Sequence, residues 1–128
     1  MDRWTSESDD FLKNFQKDLE KKKVAIFISS AMKSLFERQC KTKDLQKIKK
    51  HHLEDEALKN QLHPIALGLF DGVMDKNKMG FLFRRTLGFF IKQFEAAGFK
   101  ETSPGLIDMR DREEIRKWTK ELAQKALL

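Results

Sequence analysis

One cysteine, Cys40, occurs in the 128 residues. No disulfide can form within the chain, and a zinc site built from several cysteines is excluded. A reducing, cytoplasmic setting is the expectation that follows. Tyrosine is absent, against eleven phenylalanines. No apolar run approaches the roughly 20 residues that span a bilayer, and the opening "MDRWTSESDD" is acidic and polar, unlike a signal peptide. There is no internal repeat and no low-complexity linker, so a single domain over 1–128 is the simplest division.

What is present is basic and packable. Lys and Arg number 26 against 20 Asp and Glu, a formal net charge of +6, and 40% of residues are hydrophobic. The charge implies attraction to anions such as nucleic acid, acidic lipid, phosphate or acidic proteins. A lysine-rich solvated surface is the plainer reading of the same numbers.

Local patterning gives the elements. "TSESDDFLKNFQKDLEKKK" reads as a helix: Thr5 or Ser6 can cap it, Asp9 completes a capping box with Ser6, and Phe11, Leu12, Phe15 and Leu19 share a face. Val24–Ser29 follows as a strand without polar alternation, which implies cover on both faces, as in a parallel sheet. The charged stretch Lys33–Leu62 suits one or two amphipathic helices. A second strand is predicted at Ile65–Phe70, ended by the turn residues Asp71 and Gly72. "KMGFLFRRTLGFFIKQFEAAG" reads as a helix with a stripe of Met79, Phe83, Thr86, Leu87, Phe90 and Phe94, stopped at Gly98. Pro104 and Gly105 break the chain. A last helix from near Asp111 carries Ile115, Trp118, Leu122 and Ala126 on its buried face.

The order helix, strand, helix, strand, helix, helix indicates an α/β, helix-rich fold with parallel strands. Two strands are too few. Val24–Ser29 is the most apolar, so it should be central, yet only Ile65–Phe70 is visible as a neighbour. An exposed apolar edge invites pairing with another chain.

Three blocks carry a family resemblance: "RWTSESDDFLKNFQKDLEKKKVAIFISSAM", "HPIALGLFDGVMDKNKMGFLFRRTLGFFIK" and "IDMRDREEIRKWTKELAQKAL". In this order they resemble the later part of a flavodoxin-domain protein, in the branch that includes the menaquinone-dependent protoporphyrinogen oxidases. The likeness covers nearly the whole chain and is weakest over Lys33–Leu62. It implies a partial flavodoxin-like parallel sheet with flanking helices, running from the family's third helix to its C-terminal helix and completed by another chain. The Thr/Ser/Gly-rich loop that holds the FMN phosphate in that family has no counterpart here.

The resemblance also implies a site. Of the family's FMN loops, the end of the second matches Arg3, Trp4 and Thr5, and the third matches Ser29, Ser30, Ala31 and Met32. Trp4 would stack on the isoalloxazine ring, and small residues at Ser29, Ser30 and Ala31 would let the ring approach the backbone. The plainer alternative is that Trp4 packs on its own helix and the serines cap the next one. FMN binding is expected to be weak or absent in the isolated chain, because a cradled phosphate takes several charge-assisted hydrogen bonds of roughly 1.5–3 kcal/mol each. FMN-dependent electron transfer or oxidoreductase activity is then conditional on completion by an N-terminal flavodoxin half. The alternative is a cofactor-free half-domain acting as an oligomeric interaction module.

Other residues carry weaker signals. His51 and His52 point about 100° apart on a helix, a poor metal pair, and Cys40 has no evident activating base. "KTKDLQKIKKHH" is basic but lacks interleaved aromatics, so nucleic acid is disfavoured. Phe81 and Phe89 lie off the main stripe of their helix, toward Arg84, Arg85 and Lys92. The Phe81–Phe94 helix therefore suits a core or subunit interface first, and peripheral contact with the inner face of a membrane second. Partners expected on these grounds are a second copy, a separate N-terminal half and a redox partner.

Overall fold

Thr5 opens the first helix: its backbone is extended and its hydroxyl accepts from the Ser8 N–H, capping α1 (Ser6–Asn14). The structure, a computed structural model, describes residues 4–86 and 88–128. The capping pair is thus Thr5 with Ser8, and the single helix expected from Thr5 to Lys23 is broken at Phe15, with α2 (Gln16–Leu19) as a further turn. Leu12 is buried and Leu19 half-buried, whereas Phe11 and Phe15 lie exposed, their ring centroids 5.0 Å apart.

β1 (Ala25–Ser30) follows one residue later than predicted. The charged middle folds as α3 (Met32–Arg38), α4 (Thr42–Lys49), a π-helical segment (Lys50–Glu54) and α5 (Asp55–Lys59). β2 (Ala66–Asp71) pairs with β1 in a two-stranded parallel sheet. The predicted turn at Asp71 and Gly72 is corrected here. Asp71 is the last residue of β2, and the chain runs on into β3 (Val73–Asp75), which pairs antiparallel with β4 (Leu106–Asp108) through Met74 opposite Ile107. α6 (Phe81–Thr86), α7 (Gly88–Ala96) and α8 (Arg112–Leu127) complete the described elements. The fold is mixed α/β and rich in helix.

The chain divides into two compact units, one built from residues up to Ile28, Gln46–Leu69 and Arg112–Leu128, the other from Ser29–Leu45 and Phe70–Asp111. In the first, Leu12, Ile26, Leu53, Ala57, Leu62, Ala66 and Leu69 are buried. α8 contributes half-buried Ile115, Trp118 and Leu122, but Ala126 is exposed. The Trp118 indole N–H donates to the Leu67 carbonyl at 3.2 Å, and its ring meets Phe27 edge-on at 6.1 Å. In the second unit Leu35, Met74, Phe94, Ile107 and Met109 form the core, edged by Ala31, Met32, Met79, Ile91, Ala97 and Phe99. The Arg38 guanidinium lies 3.6 Å from the Phe99 ring centroid and donates to the Ala97 carbonyl, closing α7 from outside.

Within this chain β1 is the less covered strand of the pair: β2 buries five of its six residues, while Phe27 in β1 is 62% exposed. The apolarity of a strand states what it could bury, and its neighbours come from distant parts of the chain. One packing expectation is overturned: the Phe-rich stripe is not a core stripe. Phe94 is fully buried and Met79 half-buried, but Phe83, Thr86 and Phe90 are exposed; Leu87 lies outside the described residues.

Three helices end alike. After α7, Gly98 adopts φ +88° while the Phe99 N–H returns to the Phe94 carbonyl, a Schellman stop at the predicted residue. After α3 and α5 the same left-handed position is held by Cys40 and Gln61, each at φ 56°, with Lys41 N–H to Phe36 O and Leu62 N–H to Ala57 O. A side chain there costs about 1 kcal/mol relative to glycine. Cys40 is exposed. Cys40→Gly is therefore expected to stabilise the protein by about 1 kcal/mol, read as a higher urea midpoint at unchanged slope.

Candidate functional site

In an open α/β sheet, ligands gather where parallel strands end at their carboxyl edge. Here that edge is formed by Ser29, Ser30 and Ala31 after β1 and by Asp71 and Gly72 after β2, all within the second unit. The Gly72 N–H donates to the Ser30 carbonyl at 3.3 Å. A Cβ on Gly72 would lie 3.3 Å from the Ala31 nitrogen and 3.4 Å from the Ser30 carbonyl carbon. Glycine is needed because backbone meets backbone.

The edge is already furnished with charge. Lys33 and Asp71 are both buried, with Nζ 3.6 Å from Asp71 Oδ2 and 3.5 Å from Glu37 Oε1. The Ser34 hydroxyl donates to Asp71 Oδ1. Burying a carboxylate at the end of an apolar strand requires such a partner. Among the described residues these ion pairs set one cation against two carboxylates, a balance that disfavours a phosphate. Sequence patterning does not single out these residues: it takes Asp71 for a turn former and Lys33 for the start of a charged stretch of amphipathic helix. The available signal was an acid ending an apolar strand, which cannot stay buried alone.

The predicted FMN residues fall into two groups. Trp4 and Thr5 lie together in the first unit. Trp4 is half-buried, and its indole N–H donates to the His52 carbonyl at 2.8 Å, in the π-helical segment. Thr5 is committed to capping α1. Ser29, Ser30 and Ala31 lie together in the second unit. Ser29 and Ser30 belong to β1 rather than to a loop; Ser30 Oγ accepts from the Met32 N–H at 3.2 Å, and Ala31 packs on the unit's core. Arg3 lies outside the described residues. Most of these side chains serve local structure, and the cation nearest in sequence to the serines is paired. No family model, curated protein or solved structure matches the chain.

The first unit offers a different feature. The Val24 carbonyl accepts from the Ile65 N–H on the β2 side. By the two-residue period of a strand, Ala25 then turns its backbone groups away from β2. Among the described residues β2 is the only strand that pairs with β1. An apolar groove between α1 and β1 is lined by Trp4, Phe11, Leu12, Val24, Ile26 and Phe27.

At the far end of the second unit, Lys76 donates to Glu101 Oε1 at 2.8 Å and lies 3.6 Å from Glu95 Oε1. The hydrogen bond from Lys76, then the Gly105 N–H, holds the Glu101 carboxyl below its ordinary range, and the bond to Glu101 raises the Lys76 ammonium. The Glu101 contribution to stability is present above the ordinary glutamate pKa and is lost as pH falls through the lowered folded value. The Lys76 contribution is present below the ordinary lysine pKa and is lost as pH rises through the raised one.

Two predictions follow from these charges. Asp71→Ala, which removes a buried carboxylate beside Lys33, should destabilise the protein by about 3 kcal/mol in urea unfolding, and Lys33→Met with Asp71→Leu should recover most of that loss. Glu101→Gln should lower the thermal midpoint at neutral pH, and the gap to the unsubstituted chain should close once pH is below the lowered carboxyl range.

Proposed function

We propose that the chain is the later part of a flavodoxin-like α/β domain and works by docking: a strand from another polypeptide adds beside β1 and extends the parallel sheet. The observation that carries this reading is the outer edge of β1, which faces away from β2 at Ala25 and adjoins an apolar groove. Strand addition supplies main-chain hydrogen bonds along such an edge, and pockets for alternate side chains supply selectivity. The order of the three sequence blocks supports the family, and either a second copy or a separate N-terminal half can provide the strand.

FMN enters this reading only through the completed assembly. Complete relatives in the family bind it non-covalently and move electrons, so the assembled domain would act as an electron carrier or oxidoreductase. A second reading, a cofactor-free oligomeric module, is favoured by one observation: Trp4, Thr5 and Ser30 already spend their polar atoms on local structure.

Light scattering and FMN titration separate the two. The purified chain should run as a discrete dimer or capture an added N-terminal half. Ala25→Pro, which removes an N–H turned away from β2, should abolish that association while circular dichroism stays unchanged. A monomer that captures no such half overturns the docking reading. Flavin absorbance in the completed assembly selects the FMN reading, and a colourless assembly selects the module.

A further inference from the structure

We infer that α6 and α7 form a docking surface for an anionic lipid interface. This inference is independent of the open strand edge, since both helices belong to the second unit. α6 has no buried residue: Phe81 is 79% and Leu82 77% exposed, with Phe83 exposed beside them. In α7, Phe89 and Phe90 are exposed, with ring centroids 5.9 Å apart. Contiguous exposure of large apolar residues marks an interaction surface.

Charge selects the occupant. From Lys76 to Phe94 the sequence contains Lys76, Lys78, Arg84, Arg85 and Lys92 and no acid. Lys76 is paired with Glu101, but among the described residues Lys78, Arg84, Arg85 and Lys92 have no carboxylate partner. A second copy would bring the same cations against these and would be repelled. The shape of the patch argues for lipid over a protein groove. A groove reads one stripe of a helix at i, i+3 and i+4, whereas Phe81, Leu82 and Phe83 are consecutive and fan over about 200° of α6. A fluid interface accepts all three without a shaped counterpart. Arg85 can extend toward phosphate while its stem stays in the apolar layer, and Arg84, whose guanidinium donates to the Lys76 carbonyl, adds its charge to the same turn. Among the described residues no helix is long and apolar enough to cross a membrane, so the contact is peripheral.

Co-sedimentation of the full chain with vesicles tests this. Binding is expected to phosphatidylcholine vesicles containing phosphatidylserine and not to phosphatidylcholine alone. Phe81→Ser with Leu82→Ser, both at exposed positions, should weaken it at least about tenfold, and each of Arg84→Gln, Arg85→Gln and Lys92→Gln about fivefold. Leu58→Ser, which removes an exposed leucine from α5, should change nothing. No binding to the anionic vesicles, equal binding to both vesicles, or an equal loss with Leu58→Ser overturns the inference. So does a change in oligomeric mass with Phe81→Ser and Leu82→Ser, which would assign the surface to a second copy.

Discussion

A pair of parallel strands has one shared seam and two outer edges, and each edge presents N–H and C=O groups that need partners. The seam between β1 and β2 is the constraint on which the rest of the molecule depends. It fixes which residues of β1 turn outward, places Ala31 and Gly72 in backbone contact, and sets Asp71 where its carboxylate must be neutralised. Parallel sheets are usually covered on both faces and flanked on both sides. β2 approaches that condition, with five buried residues. β1 does not, and its exposed Phe27 and the groove along α1 show where cover is thin.

The buried polar cluster at the carboxyl edge explains why this part of the fold is specific rather than merely packed. Lys33, Ser34 and Asp71 must meet for any of them to be buried at low cost. Their arrangement ties α3 to the end of β2 and leaves little positive charge to offer a phosphate. The same economy is seen at Trp4, Thr5 and Ser30, whose polar atoms complete helix ends and a π-helical carbonyl.

Much of the local structure was legible. β1, β2, the stop at Gly98 and the helix ending the chain follow from apolar runs, a glycine at a left-handed position and periodic Ile115, Trp118 and Leu122. The β3–β4 pair was not legible, because three-residue strands give too short an alternation to register and Asp71–Gly72 is a common turn signal. Helix stops at Cys40 and Gln61 were hidden for a related reason: neither residue type announces a positive φ.

The amino-acid order by itself determined the α/β class, the shortage of strands beside β1 and the basic, phenylalanine-rich character of residues 76–94, because these depend on composition and period alone. Only the tertiary structure decided which apolar residues are covered. Phe94 and Phe81 are the same side chain in one continuous pattern, yet Phe94 is fully buried and Phe81 lies open. Leu35, Met74 and Ile107, brought from three separate segments, form the core in which Phe94 is enclosed. Burial is a property of neighbours, and neighbours far apart in sequence are assigned by the fold.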